Sequence, residues 1–347
     1  MIIDCSKLST SIGAIASGYI NFDPHIKIEG IILNKVASDK HLDYLKEGLK
    51  FLSIPIAGTL FRQKNIELPS RHLGLIPAGE INSHNYLFEQ LLALATTSFN
   101  WDLLLPLIEN KNSNNYSLSY FFLPEKQSKV KIGIAYDKAF NFYYQDNLDV
   151  LSKLGVEIIF FSPLIDGKLP KDLDGIYLGG GFPEIFAQQL AENLSFKTSL
   201  REKILTKIPV YAECGGMMYL SEAIEDFEGK NWKMLGILPN TAIMSSKLTL
   251  GYRQATVLKN NCFAHHNITL WGHEFHRAKN SHHPDSPVLE IREMYQQKIV
   301  SYQGWESQHI FASYLHLHFA SCISQVEYFL QRCLQYQKRR DLLGFKD

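Results

Sequence analysis

The residues best suited to covalent chemistry lie in the segment YAECGGMMYL, at Tyr211–Leu220. Cys214 follows an apolar run that predicts a buried strand, and it precedes two glycines and a segment with helical spacing. A tight turn here would expose the thiol at the carboxyl edge of a parallel sheet, where such sheets bind ligands. The start of the helix favours the thiolate, and backbone N–H groups around Gly215 suit an oxyanion. The alternative is a buried core cysteine, because free cysteine packs as a small apolar residue.

Two further segments contain suitable partners for this thiol. Leu178–Glu184 is LGGGFPE, a glycine turn between a strand and a helix, whose backbone would offer a second oxyanion donor. It lacks the GxGxxG spacing of a dinucleotide-binding loop. In the segment YLHLHFAS near the C-terminus, His316 and His318 alternate along a predicted strand and therefore face the same side. Spacing does not choose between them, but a cysteine with a histidine distant in sequence is typical of thiol acyl transfer.

The elements that must position these residues alternate between strands and helices, which predicts right-handed crossovers and a largely parallel sheet with helices on both faces. In the second domain the expected strands are Val130–Tyr136, Val156–Ser162, Gly175–Leu178 and Ile208–Ala212, and the expected helices are Tyr144–Leu154, Phe186–Glu192, Leu200–Lys207 and Met217–Ala223. In the first domain the expected strands are Ile28–Leu33 and Ile54–Ala57, and the expected helices are His41–Leu52 and Ser83–Ala95. Both domains are thus predicted to be of the α/β class.

Composition sets the domain organisation and excludes several classes of protein. A polar, Asn-rich stretch divides the 347 residues, and we predict a first domain at 1–108, a linker at 109–129 and a second domain at 130–347. The 35 basic and 35 acidic residues balance, which argues against a nucleic-acid or membrane-surface binder. No run approaches the roughly 18 apolar residues of a membrane span, and no signal peptide is evident. Five cysteines without a CxxC pair fit a reducing compartment, so we expect a soluble cytoplasmic protein.

Several motifs, taken together and in order, resemble the cobyrinic acid a,c-diamide synthase family, whose members are glutamine-dependent amide ligases of cobalamin biosynthesis. The resemblance covers nearly the whole chain. The motifs of the second domain are DKAFNFYYQDNLDVL, FSPLIDGKLP, LGGGFPE, YAECGG, GHEFHR and YLHLHFAS. Those of the first domain are MIIDCS, SIGAIASGYINFDP, GIILNKVASDKH and LPSRHLGLIPAGE.

For the second domain the resemblance implies a class I glutamine amidotransferase fold. Cys214 would attack the glutamine side-chain amide, forming a glutamyl thioester and releasing ammonia, and His316 matches the histidine that activates the thiol. Gly180 and Gly215 are the expected oxyanion hole. Most amidotransferases of this class carry a glutamate two residues after the histidine, and His318 stands there in this chain. The resemblance therefore implies that the third triad member is absent or replaced.

For the first domain the resemblance implies a dethiobiotin-synthetase-like fold, in which ATP with Mg²⁺ activates a corrinoid carboxylate and ammonia displaces phosphate. Asn34 stands where that fold reads the nucleotide, although an ordinary turn asparagine is the alternative. Arg71 and His72 are candidates for phosphate or propionate contacts. The GHEFHR cluster lacks HExxH spacing and a cysteine pair, so we expect structural or substrate contacts there and no metal site.

The chain departs from the family in one respect. No GxxxxGK[ST] phosphate-binding loop occurs in the sequence, and MIIDCS aligns with a strand well inside the synthetase domain. We therefore expect the first part of that domain to be missing, with a partner chain or a homo-oligomer covering the apolar sheet edges left behind. The alternatives are a glutaminase-only or non-catalytic fragment, an amide ligase for hydrogenobyrinic acid or a nickel sirohydrochlorin, and an unrelated cysteine hydrolase.

Overall fold

In a computed structural model, the chain divides into two compact units, Met1–Ser117 and Leu118–Asp347. The predicted linker at 109–129 lies outside the described residues except for Glu109, and so does His72. No helix in the described part of the chain combines the length and apolarity that crossing a bilayer requires. The structure describes residues 1–63, 66, 70–71, 74–75, 84–109, 130–307 and 309–343.

The first unit contains a three-stranded parallel sheet in the order β1-β2-β3, and a short antiparallel pair, β4 and β5. Apolar side chains of β2 alternate with polar ones, so Ile31 and Leu33 are fully buried against Ile12 of the first helix. The strand expected at 28–33 lies three residues further along the chain. The elements are β1 Ile2–Asp4, α1 Ile12–Phe22, β2 Ile31–Val36, α2 Asp39–Leu49, β3 Ile56–Phe61, β4 Ser70–Arg71, β5 Gly74–Leu75, α3 His84–Ser98 and α4 Trp101–Ile108.

The second unit is built around a six-stranded sheet in the order β16-β17-β9-β8-β6-β7. All neighbouring strands in it are parallel except the edge pair β16 and β17. Its strands are β6 Lys131–Ala135, β7 Glu157–Phe161, β8 Gly175–Leu178, β9 Val210–Glu213, β16 Trp305–Ser307 and β17 Ile310–Ser313. The helices of the unit are α5 Gln145–Lys153, α6 Ala187–Glu192, α7 Leu194–Leu205, α8 Gly215–Leu220 and α9 Ile323–Leu343.

A second, mostly antiparallel sheet of seven strands occupies much of residues 221–317 and was not expected from the sequence. The helix predicted at Met217–Ala223 is therefore wrong at its end, because α8 stops at Leu220 and a strand begins at Ser221. The two central strands of this sheet pair over eleven residue positions with one register shift. Its strands are β10 Ser221–Glu225, β11 Asn231–Lys233, β12 Leu238–Val257, β13 Thr269–Asn280, β14 Leu289–Glu293, β15 Ile299–Gln303 and β18 His316–Leu317.

An aromatic cluster packs beneath the carboxyl half of the parallel sheet. Tyr177 and Tyr211 are cross-strand neighbours on β8 and β9, with ring centroids 5.2 Å apart. Phe263 lies 4.6 Å from the ring of Tyr211, and Phe319 lies 5.6 Å from that of Tyr177. Such contacts each add about 0.5–1.5 kcal/mol beyond area burial, so this cluster gives the sheet end a rigid base.

Candidate active site

Cys214 occupies a strained turn between β9 and α8. Its backbone has φ 45° and ψ −102°, a conformation that non-glycine residues rarely adopt. The turn is fixed by hydrogen bonds from the Cys214 N–H to the Ser313 carbonyl (2.7 Å) and from the Met218 N–H to the Cys214 carbonyl (3.0 Å). A Cβ at Gly216 would overlap the carbonyl oxygen of Leu178, so the helix can pack this closely on β8 only with glycine there. The chain thus forms the turn predicted from the sequence.

The glycine turn after β8 lies between His316 and the start of α8. A Cβ on Gly180 would be 2.5 Å from Cε1 of His316. The next residue, Gly181, has its backbone nitrogen 3.2 Å from the position of a Cβ on Gly215. The Gly180 carbonyl accepts a hydrogen bond from the Phe142 N–H at 3.2 Å. The structure therefore brings the three segments singled out in the sequence to one place.

His316 is buried, with 4% of its surface exposed. Its ring stacks on that of His273 (4.9 Å between centroids, 16° between planes) and meets the Phe142 ring edge-on at 5.0 Å. Burial, aided by the neighbouring His273 and His276, lowers the pKa of His316 to about 3. The imidazole is therefore neutral at physiological pH and able to accept a proton.

His318 is more exposed than His316, so burial distinguishes the two histidines of this segment. β18 ends at Leu317, and His318 immediately precedes a short 3-10 helix, Phe319–Ser321. Its side chain is 39% exposed, and its Nε2 lies 3.0 Å from Oδ2 of Asp146. His318 itself is extended (φ −96°, ψ 111°), and its ring lies 5.2 Å from that of Tyr144, which also lies 6.2 Å from the ring of His273.

Burial disfavours the thiolate form of Cys214. Burial raises its pKa, the carboxyl groups of Glu184 and Glu213 raise it further, and the Gly215 N–H opposes them only in part. The helix that begins here, α8, has only six residues, and the burial of the thiol acts against the preference for a thiolate that is expected at a helix start. A nucleophilic role for Cys214 consequently requires a base.

Glu213 was not singled out in the sequence. Among the described residues, its carboxylate is the one nearest to the His316 ring. It is 3% exposed. Its Oε1 accepts hydrogen bonds from the Tyr211 hydroxyl (2.6 Å) and the Leu317 N–H (3.0 Å), and its Oε2 accepts one from the Tyr177 hydroxyl (3.1 Å). Oε2 also lies 3.9 Å from Nδ1 of His316. Burial raises the pKa of Glu213 to about 7, against these hydrogen bonds, which lower it.

The GHEFHR segment forms part of β13 and makes a buried ion pair. Arg253 Nε donates to Glu274 at 2.6 Å, and Gln303 Nε2 donates to the other carboxylate oxygen at 2.7 Å. Burial alone would raise the pKa of Glu274, but His276 and Arg253 lower it to about 2. The described residues contain no group of three or more His, Cys, Asp or Glu arranged for a metal ion.

Asn34, a candidate nucleotide residue of the first unit, belongs to β2. Its side-chain Oδ1 accepts from the Lys35 N–H at 2.9 Å, and Lys35 Nζ lies 2.7 Å from Asp4 Oδ2. Arg71 belongs to β4, and its side chain lies outside the described part. The polar side chains described near Asn34 bond to each other and to the backbone.

Taken with this fold and site, the comparison with known families defines the class of the second unit. Residues 131–322 match the family described as "CobB/CobQ-like glutamine amidotransferase domain". The second unit thus contains a class I glutamine amidotransferase domain. Among solved structures, a putative GMP synthase subunit of Thermoplasma acidophilum aligns with a TM-score of 0.44 and 19% identity, over 61% of this chain and 98% of that one. PurLQS of Thermotoga maritima aligns with a TM-score of 0.43 and 17% identity, over 60% of this chain and 99% of that one.

Comparison with curated proteins extends the similarity to both units. A protein of Synechocystis sp. named cobyrinate a,c-diamide synthase is 44% identical over 99% of this chain and 71% of its own length. Proteins with the same name from Synechococcus sp. and Gloeobacter violaceus are 43% and 38% identical, over 96% of this chain and 74% and 72% of their own lengths. The chain belongs to the cobyrinate a,c-diamide synthase family.

Proposed function

We propose that this chain hydrolyses glutamine at Cys214 and supplies the ammonia for amidation of the a and c carboxylates of cobyrinic acid, a step of cobalamin biosynthesis. The observation that carries the glutamine half is the meeting of a strained cysteine turn and a neutral, buried histidine at one glycine turn. The observation that supports the substrate is the name shared by relatives that align with both units.

The proposed hydrolysis begins with transfer of the Cys214 thiol proton to His316, because a thiol whose pKa is raised by burial is a poor nucleophile by itself. The sulfur attacks the amide carbon of glutamine, and the N–H groups of Gly215 and of the turn at Gly180 receive the oxyanion. The His316 imidazolium then protonates the leaving nitrogen, and ammonia departs to leave a glutamyl thioester. Water, deprotonated by His316, releases glutamate and restores the thiol.

The amidation half is proposed from the family alone. Activation of the corrinoid carboxylate with ATP and Mg²⁺, and the roles of Asn34, Arg71 and His72, remain proposals. The second candidate function is glutamine hydrolysis without ligation, which is favoured by the lack of a GxxxxGK[ST] motif in the 347 residues. Mass spectrometric detection of mono- and diamide products from cobyrinic acid, glutamine and ATP distinguishes the two functions.

Replacement of Cys214 tests the glutamine half directly. We expect Cys214→Ala to reduce glutamate release from glutamine to the background rate, while any ligation supported by free ammonia persists. The matched control is Cys333→Ala, which truncates another fully buried thiol, in α9, far along the sequence from the turn. A Cys214→Ala protein that released glutamate at the normal rate would disprove the assignment of the nucleophile.

A further inference from the structure

We propose that Glu213, the residue immediately before the nucleophile, positions His316 and stabilises its protonated form, and so takes the place of the missing third triad member. This inference rests on the proposed glutamine hydrolysis. Most class I amidotransferases have a glutamate two residues after the histidine, but in this chain that residue is His318, which pairs with Asp146. Glu213 would supply the carboxylate from the cysteine side of the site.

The proposed contact joins Nδ1 of His316 and Oε2 of Glu213. Nδ1 of His316 is buried and makes no hydrogen bond within the described part of the chain. Oε2 of Glu213, 3.9 Å away, accepts one hydrogen bond from the described residues, that of the Tyr177 hydroxyl, and a carboxylate oxygen has room for two. The distance exceeds a hydrogen bond by about 1 Å, and such catalytic contacts are often long before substrate binds.

The hydrogen bonds around Glu213 hold its carboxylate with an oxygen towards the imidazole. Tyr211 and the Leu317 N–H fix Oε1, and Leu317 is the residue directly after His316, so one backbone contact couples the two side chains. Tyr211 and Tyr177, the two tyrosines that donate to Glu213, both belong to the aromatic cluster beneath the sheet. Three hydrogen bonds therefore hold the Glu213 carboxylate, and they leave Oε2 able to accept a further bond from His316.

Charge explains why the pair acts only during the reaction. A buried anion and a buried cation are each costly alone, whereas together they attract each other in a medium of low dielectric. When His316 takes the thiol proton, an ionised Glu213 compensates the new positive charge. The titratable groups that face the pair in the described part of the chain are Tyr143, Tyr144, Tyr177, Tyr211, Cys214, His273, Glu274, His276 and Cys322. Of these, Glu274 is the other carboxylate, and it is already bonded to Arg253 and Gln303.

The test compares Glu213→Gln with Tyr211→Phe in the purified full chain. For Glu213→Gln we expect at least a tenfold lower kcat for glutamine hydrolysis, a nearly unchanged KM, and an acidic limb of the pH–rate profile that moves to lower pH. The limb moves down because the Glu213 carboxyl, whose pKa is about 7, no longer titrates, and the limb then reports only the lower pKa of His316. Tyr211→Phe keeps the carboxylate but removes a hydrogen bond that favours its ionised form, so its acidic limb should move to higher pH. Glu213→Asp should recover part of kcat.

A second measurement distinguishes a failure of the proposed glutamine hydrolysis from a failure of the proposed coupling between Glu213 and His316. The rate at which iodoacetamide alkylates Cys214, followed by peptide mass spectrometry, reports thiolate formation without requiring glutamine. If the unmodified chain fails to hydrolyse glutamine, the proposed function fails, while slower alkylation at pH 7 in Glu213→Gln would still support the coupling. If Glu213→Gln does not fold, the presence or absence of the limb shift to higher pH in Tyr211→Phe decides the question. Lower rates with an unmoved acidic limb in all variants would mean that Glu213 is only structural.

Discussion

Gly180→Ala is a perturbation of one methyl group whose effect can be worked out from the structure. A Cβ at this position would stand 2.5 Å from Cε1 of His316, and the next nearest atoms are Nδ1 of the same ring at 3.4 Å and Cβ of Phe142 at 3.5 Å. Gly180 has no positive φ, so its backbone accepts alanine without strain. The substitution therefore acts on the histidine ring.

The expected loss in the rate of glutamine hydrolysis follows from the distance that the His316 ring must move. Carbon atoms in contact prefer about 3.5–4.0 Å, so the ring must move by at least about 1 Å. A misplacement of that size in a catalytic group costs about 100-fold in rate, which corresponds to about 2.7 kcal/mol in the activation free energy. Overpacking of a dense site costs about 1–3 kcal/mol of stability, which is too little to unfold an ordinary domain completely.

The assay is glutamine hydrolysis, measured as kcat and KM beside the thermal unfolding midpoint of each protein. Gly167→Ala is the matched control, because a Cβ there meets no atom within 4 Å and the residue has no positive φ. We expect kcat of Gly180→Ala to fall about 100-fold and that of Gly167→Ala to stay at the level of the unmodified chain. A Gly180→Ala protein with normal kcat and an unchanged midpoint would refute the placement of His316 as the base.

Three further predictions concern other parts of the second unit. Arg253→Met should destabilise the protein by about 3 kcal/mol in urea unfolding at pH 7, because it leaves Glu274 buried and charged. The folded pKa of Glu274 is about 2 in the unmodified chain, so the difference in stability between the two proteins should shrink as the pH falls below the ordinary glutamate range and Glu274 becomes protonated. His318→Ala should change stability by less than about 1 kcal/mol and leave glutamine hydrolysis unchanged, because its pair with Asp146 is exposed. Gly216→Ala should lower the yield of folded protein, measured by size-exclusion chromatography, because its Cβ overlaps a backbone oxygen that cannot move away.

The elements of the parallel sheet could be predicted from the sequence because each strand is an apolar run bounded by polar residues. Residues 221–317 were harder, because β12 is twenty residues long and its alternation is interrupted in the middle by exposed positions. Alternating buried residues at both ends of β12, such as Ala242, Met244, Ala255 and Val257, are the signal that could have indicated it. The register shift between Met244 and Thr249 explains why one continuous alternation was not visible.

The parts of the candidate site that arise from local sequence patterns could be predicted. The role proposed for Glu213 could not, because it depends on contacts between distant segments. A strand places residues i and i+2 on one face, so the sequence alone puts Tyr211 beside Glu213. An acidic residue at the end of an apolar strand must also be held by partners, which is a reason to suspect a role. The two other donors, Tyr177 and the Leu317 N–H, come from distant segments that only the pairing of β8 with β9 and the return of the chain at β18 bring close. Spacing from the histidine points to position 318, where no glutamate stands, whereas the proposed carboxylate comes from the residue before the cysteine.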